Sequence, residues 1–412
     1  METAAKEAGF DPARLERITE HLERAYIEPG KIAGCQVVVS RHGHVAYCRS
    51  LGMADRERQT PVADDTIFRL FSMTKPITSV ALMTLYEQGY FQLNDPMHRL
   101  IPEWRNMGVY VSGEGERMEV RPPKSPMTMR HLLSHQSGLS YGDGLARLLG
   151  VEVPLHPVDA AYVAASIRRG RDDTLEDFVR MLGSMPLHFD PGEKWMYSYA
   201  TDVCGYLVQA ISGKRFDKYL QEHIFEPLGM KDTAFFVAPE KAGRLAANYW
   251  RRNKQLQLLD DPTTSSYLEE PAMFAGGAGL VGTTADYLRF TEMLRRGGEL
   301  DGVRILGPRT IELMTQNHLT GGNDLSEMAI SMFSETPYDG VGFGLGFAMT
   351  VDAVRAGTIG AGDYYWGGAA STIFWVDPVE DLVAIFMTQL IPSATFNFRG
   401  QLKSIIYSSI VD

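Results

Sequence analysis

The segment Phe71-Ser72-Met73-Thr74-Lys75 holds the only Ser-x-x-Lys of the chain and runs directly into the apolar stretch Ile77 to Tyr86. Three residues is nearly one helical turn, so a hydroxyl and an amine at this spacing point the same way. A serine hydroxyl is a poor nucleophile until a nearby base removes its proton. A lysine serves as that base only with a lowered pKa, which desolvation and the positive end of a helix dipole both promote. A serine at a helix start also offers its own backbone N–H to a developing oxyanion. Pro76 cannot donate to the carbonyl four residues back, so the first turn is expected to be irregular.

Two further segments carry chemistry. In Phe189-Asp190-Pro191-Gly192-Glu193-Lys194-Trp195-Met196-Tyr197-Ser198-Tyr199, a tight Asp-Pro-Gly turn leads into aromatics. Tyr197 is a general base only as a phenolate, which needs a cation such as Lys75 beside it. The alternative is an ordinary buried aromatic cluster. In Tyr364-Tyr365-Trp366-Gly367-Gly368-Ala369-Ala370, paired glycines precede a β-type run. They allow another group to approach the backbone closely, and one N–H there is a candidate second oxyanion donor. The alternative is a plain glycine-rich turn.

Other motifs read as structural. Gly277-Ala278-Gly279-Leu280-Val281-Gly282 spells G-x-G-x-x-G, but Glu269-Glu270-Pro271 leads in where a dinucleotide site needs a strand. It reads as a glycine loop before a helix at Thr284. His131 and His135 are four apart, yet His-Leu-Leu-Ser-His lacks the zincin glutamate. No G-x-S-x-G occurs, which disfavours an α/β-hydrolase elbow. Cys35, Cys48 and Cys204 are too few for a disulfide framework, lack metal-ligand spacing, and read as buried thiols in a reducing compartment. No metal or cofactor is expected.

The elements that must position these residues follow from periodicity. Leu15, Ile18, Leu22 and Tyr26 mark a helix over 12–25. β-type runs at 35–40 and 44–48 flank the turn His42-Gly43, and further runs lie at 343–351, 372–376 and 382–388, the last two about Asp377-Pro378. Helical patterns occupy 73–90, 127–135, 174–183, 201–212, 216–224, 284–296 and 398–410. The economical architecture is α/β of the α+β type: one antiparallel sheet of about five strands from both chain ends, flanked by helices. Residues 1–100 and 275–412 would form this part. Residues 101–274 would form an inserted, mainly helical domain. Within it, 140–171 reads as a surface cap or a solvated helix pair, a cap extending over 140–185, with Arg168, Arg169 and Arg171 on a solvated face.

The 412 residues suffice for two domains, with 44% hydrophobic and 22% charged content, as in soluble globular proteins. A net charge of −11 would be repelled by phosphate backbones, so nucleic acid is not the expected partner. No run reaches the ~18 consecutive apolar residues of a membrane span. Glu2 and Lys6 follow Met1 with no apolar stretch of a secretory signal, so a cytoplasmic location is expected.

Taken together and in order, F-S-x-T-K, F-x-P-G-x-x-W-x-Y-S and W-G-G-A resemble the serine β-lactamase-like superfamily. More narrowly, they resemble the class C β-lactamase-related carboxylesterases of family VIII and their acyltransferase relatives. The resemblance includes Met129-Arg130-His131-Leu132-Leu133-Ser134-His135-Gln136-Ser137-Gly138-Leu139, Phe225-Glu226-Pro227-Leu228-Gly229-Met230, Gly276-Gly277-Ala278-Gly279-Leu280 and Phe374-Trp375-Val376-Asp377-Pro378. It implies Ser72 as the acylated nucleophile, Lys75 and Tyr197 as its proton-transfer pair, and the N–H groups of Ser72 and Ala369 as the oxyanion hole. Trp366 stands where the β-lactamases carry the lysine of Lys-Thr-Gly, as in the esterase branch. Tyr199 stands where they carry the asparagine of Tyr-x-Asn. Both changes remove groups that recognise a β-lactam or peptide, which lowers the expectation of efficient β-lactamase or D-amino-acid peptidase activity without excluding weak turnover. Phe71, Tyr199, Tyr365, Trp366, Gly367 and Gly368 would line the substrate site. The expected partner is a small ester, in a chain that could form a homo-oligomer. An acyltransferase of the same mechanism is the alternative enzyme, and a penicillin-binding-like scaffold that only binds a ligand is the non-enzymatic one.

Overall fold

The computed structural model describes residues 2–149, 154–167, 172–330 and 338–412. Its centre is an antiparallel sheet of eight strands: β1 Gly34–Arg41, β2 His44–Asp55, β3 Thr60–Pro61, β4 Val341–Phe343, β5 Ala348–Thr350, β6 Tyr364–Gly367, β7 Ile373–Asp377 and β8 Leu382–Thr388. The spatial order is β4-β5-β6-β7-β8-β1-β2-β3. The two chain ends therefore meet along β8 and β1, where Cys35 lies opposite Thr388 and Arg41 opposite Leu382. β8 is buried along its whole length and reads Leu-Val-Ala-Ile-Phe-Met-Thr, a continuous apolar run suited to a strand covered on both faces.

The sheet has more strands than the five expected, for local reasons. The run at 343–351 is two strands joined by a turn, because Gly344 and Gly346 interrupt it. Tyr364–Gly367, expected only as a lead-in, pairs on both sides, with Trp366 opposite Phe374 and Tyr365 opposite Ala348. β3 is a two-residue edge pairing below the reach of any periodicity.

The helices named below are α1 Arg17–Leu22, α2 Thr74–Glu87, α3 Met129–Leu133, α4 Leu175–Gly183, α5 Ala200–Ser212, α6 Thr284–Arg295 and α7 Phe398–Tyr407. The N-terminal helix expected over 12–25 is broken. Pro12–Leu15 precedes α1, and Glu23–Ile27 widens into a π-type turn. α6 and α2 lie on one face of the sheet, where Tyr287 meets Phe374 with ring centroids 5.2 Å apart and donates its hydroxyl to the carbonyl of Met73. α7 covers the other face, with Phe398 against Phe386 at 4.7 Å. α2 is buried from Thr74 through Leu85, which explains why its sequence is apolar all round rather than striped.

The middle of the chain contains β features the periodicity did not suggest, among them Val109–Ser112 paired with Glu119–Arg121. Asn248–Arg252 and Gln255–Asp260 form a hairpin, and the first of them pairs in parallel with Leu390–Ile391. Another short ladder matters more for the site. Phe68–Arg69 pairs with Val281–Gly282, and Leu70 N–H continues onto the Leu280 carbonyl at 2.9 Å. It lays the glycine loop 276–280 alongside the segment that enters α2. The arginines at 168, 169 and 171 lie outside the described residues. Among the described residues, no helix is long and apolar enough to cross a membrane.

Candidate active site

Ser72 sits in a tight 3₁₀ turn, Phe71–Met73, that passes directly into α2. Pro76 is the third residue of α2, where its missing N–H has no intrahelical acceptor to lose. The irregularity instead precedes the helix. Phe71 has φ +46°, in the left-handed region that a bulky side chain adopts only at a cost, immediately before the serine.

Ser72 and Lys75 meet. Lys75 Nζ donates to Ser72 Oγ at 3.3 Å and to the carbonyl of Gly277 at 2.7 Å. Lys75 is 1% exposed, so the amine is held away from the water that would solvate an ammonium. The Gly277 carbonyl is delivered by the glycine loop, whose position is set from two sides. Thr78 of α2 donates to the carbonyl of Gly276 at 2.7 Å, and Gly277 N–H donates to Asp202 Oδ1 of α5 at 3.1 Å. Asp202 is wholly buried, and its Oδ2 has no hydrogen-bond partner. A Cβ on Gly277 would lie 2.5 Å from that oxygen, so only glycine allows this approach.

Tyr197 arrives from the loop before α5. The loop is anchored at its start by Asp190, which accepts from both guanidinium nitrogens of Arg121 at 3.0 and 2.6 Å and from Lys124 N–H at 2.8 Å. The Arg121 contact holds the Asp190 carboxyl well below the usual carboxylate range. Tyr197 is 2% exposed and lies in an aromatic cage: Trp195 stacks at 6.1 Å, and Tyr141, Trp366 and His135 lie 5.4, 5.4 and 4.9 Å away. Lys75 Nζ is 4.5 Å from the centre of the Tyr197 ring, and Trp366 Nε1–H donates to the Tyr197 hydroxyl at 3.2 Å.

The third segment closes the cluster. Gly368 N–H bonds to the Thr372 carbonyl at 2.7 Å, turning the chain sharply around Ala369. A Cβ on Gly368 would sit 2.4 Å from the carbonyl oxygen of Leu70, so this turn abuts the segment before Ser72. Ala369 is the next residue in this turn.

Of the candidate substrate residues, Trp366, Gly367, Gly368 and Phe71 belong to these neighbouring segments. Tyr199 stands one ring further out, 4.5 Å from Tyr141 and 5.1 Å from Phe178 of α4. Tyr365 is not brought to the site. Side chains alternate along β6, so Trp366 faces Tyr197 while Tyr365 faces α7, with the Arg399 guanidinium 4.4 Å above its ring. The structure thus sets Tyr365 apart from Trp366 and Tyr197.

Four participants escaped the sequence reading. Tyr141 lies 5.6 Å from Lys75 Nζ by its ring and bridges Tyr197 to Tyr199. It follows the block ending at Leu139 by two residues, and that proximity was the available signal. Gly277 was read as purely structural. Asp202, five residues after Tyr197, carried a weak signal as an acid inside an apolar helix. His135 contributes an imidazole to the cage, while His131 caps α3 by accepting Thr128 N–H at Nδ1 (3.2 Å). The two histidines thus serve separate structural partners. Among the described residues, no group of three or more histidines, cysteines or acids is arranged to hold a metal ion.

A model of the β-lactamase family matches residues 19–402. Esterase EstB of Burkholderia gladioli is 30% identical over 394 residues, covering 91% of this chain and 90% of that protein. Among solved structures, EstCE1, described as a hydrolase with promiscuous acyltransferase activity, superposes with a TM-score of 0.79 at 28% identity over 96% of this chain and 99% of its own. Simvastatin synthase (LovD) from Aspergillus terreus gives 0.79 at 25% identity, over 97% of this chain and 98% of its own. The antiparallel sheet with its flanking helices is accordingly a serine β-lactamase-like fold, and the chain belongs to the β-lactamase family as a serine hydrolase.

Proposed function

We propose that this protein is a family VIII carboxylesterase that hydrolyses small, fairly apolar esters through an acyl-enzyme on Ser72. The observation that carries the reading is the buried Lys75 amine, held between Ser72 Oγ and the Gly277 carbonyl and beside the Tyr197 ring. Ser72 Oγ attacks the ester carbonyl while its proton passes to the Lys75/Tyr197 pair. The carbonyl oxygen becomes an oxyanion facing the N–H groups of Ser72 and Ala369. Collapse breaks the ester C–O bond, the pair returns the proton to the leaving alcohol, and an acyl-serine remains. Water then repeats the sequence with the pair acting again as base and acid, releasing the carboxylic acid and restoring Ser72. The proton belongs to the coupled pair rather than to either group alone.

On this reading residues 1–100 and 275–412 supply Ser72, Lys75, the oxyanion donors and Trp366, and residues 101–274 supply Tyr197, Tyr141 and Tyr199. Trp366 and Tyr199, in place of amide- and carboxylate-recognising groups, support an ester over a β-lactam. The free cysteines fit a reducing compartment such as the cytoplasm.

The test is hydrolysis of p-nitrophenyl acetate and butyrate, together with intact-mass analysis after a fluorophosphonate probe. Turnover plus a single adduct that Ser72→Ala abolishes is expected. A folded enzyme with neither overturns the reading. The second reading, acyl transfer to an alcohol, is favoured by the similarity to EstCE1 and LovD. Partition of one acyl donor between water and an added alcohol separates the two, and nitrocefin turnover approaching ester turnover would instead favour a β-lactamase.

A further inference from the structure

We infer that His135 is a positioning residue for the proposed reaction, a neutral imidazole that fixes the Tyr197 turn from both sides; the inference rests on Tyr197 acting in proton transfer. The Tyr197 turn has few regular hydrogen bonds of its own, lying between the Asp190 turn and α5. His135 contacts it at three points. Its carbonyl accepts Met196 N–H at 2.9 Å, its Nδ1 lies 3.3 Å from Ser198 Oγ, and its Nε2 lies 3.4 Å from Thr201 Oγ1. These contacts bracket residue 197 on both sides. The ring also packs on Tyr197 itself.

A neutral ring, with one N–H and one bare nitrogen, matches the hydroxyls of Ser198 and Thr201, each of which can donate as well as accept. A protonated ring would place a charge inside this buried cage. Burial and the nearby Lys75 both oppose that protonation and hold the imidazole well below its ordinary pKa. The backbone carries a matching specialisation, since His135 has φ +55°. That left-handed conformation aims the carbonyl at Met196 and the ring between the two hydroxyls. Packing alone would ask only for an aromatic ring here, whereas the geometry uses both ring nitrogens.

The experiment compares the full-length wild type with His135→Phe, His135→Asn and His135→Gln, reading kcat and KM for p-nitrophenyl butyrate, the rate of fluorophosphonate labelling at Ser72, and Tm. Phenylalanine keeps the ring and loses both nitrogens. Asparagine tolerates the left-handed backbone and restores an acceptor at the Nδ1 position, whereas glutamine reaches only the Nε2 position. Expected for His135→Phe is a fall in kcat of roughly 10–100-fold with KM within about two-fold, and correspondingly slow labelling. His135→Asn should recover at least about five-fold of that loss and exceed His135→Gln. If His135→Phe folds and keeps kcat within about two-fold, the inference is overturned and the residue is packing only. If His135→Phe does not fold, the Asn-to-Gln comparison decides, and equal kcat values overturn it. Wild-type enzyme that takes no label at Ser72 would overturn the proposed reaction itself, a result distinct from labelled wild type with an unaffected variant.

Discussion

The indole Nε1–H of Trp366 donates to the phenolic oxygen of Tyr197 at 3.2 Å, inside a cage where both side chains are nearly inaccessible to water. A donor aimed at a phenol oxygen favours the phenolate, and it does so more strongly in a dry site. Trp366→Phe preserves the wall and deletes the donor. We expect kcat to fall by roughly 10-fold, with the acidic limb of its pH profile moving to higher pH as the phenolate loses support. An unchanged profile would show that the indole contributes shape alone.

Lys75 meets Gly277, Tyr197 and Tyr141 from three other segments, and its replacement removes the amine they surround. Lys75→Ala is expected to lower kcat/KM by roughly 10²–10⁴ while leaving the protein folded. Steady-state kinetics beside circular dichroism checks this.

Gly277 holds Lys75 through its carbonyl, and the space for its missing side chain is filled by Asp202 Oδ2. Gly277→Ala forces the loop away from α5 and takes the carbonyl from the amine. A loss of about 10-fold or more in kcat is expected, with a lesser effect on KM. Activity at the wild-type level would mean that this carbonyl does not orient the amine.

Tyr365 lies on the opposite face of β6 from Trp366, beneath Arg399. Tyr365→Phe keeps the ring under the guanidinium, so kcat/KM for p-nitrophenyl esters should stay within roughly two-fold of wild type. A large change in chain-length preference would return this residue to the substrate site.

Acid should destabilise the fold before the carboxylates titrate. Burial, helped by Arg130, lowers the His131 pKa to about 4, and His135 and His318 are also depressed by burial. Between the ordinary value near 6.5 and these folded values the unfolded chain binds more protons than the native one, so stability falls as pH drops through that window. The contribution of these groups is fully present above about pH 6.5. Differential scanning fluorimetry should show Tm falling by about 5 °C or more from pH 7 to pH 5. A flat or rising Tm over that range would contradict the buried neutral histidines.

The sequence by itself determined the Ser72–Lys75 spacing and which elements are long. Ser72 and Lys75 are legible because helical spacing is local, the strand 382–388 because an uninterrupted apolar run is itself a burial signal, and the strand 34–41 because of its β-branched Val37-Val38-Val39 core. The hairpin at His42-Gly43 was legible because two β-type runs flank a short glycine-containing turn, and in the structure both turn residues take left-handed φ. What only the tertiary structure decided depends on contacts between distant segments. The Gly277 carbonyl, Asp202, Tyr141 and His135 have no local pattern that points to Lys75 or Tyr197, since each reaches the cluster through packing of α2, α5 and the loops around them. The face on which Tyr365 stands required the register of β6 against β5 and β7, because a one-residue shift exchanges it with Trp366. Spacing specifies neighbours within an element. Closeness between elements is set by a core that must fill, and only the folded chain expresses it.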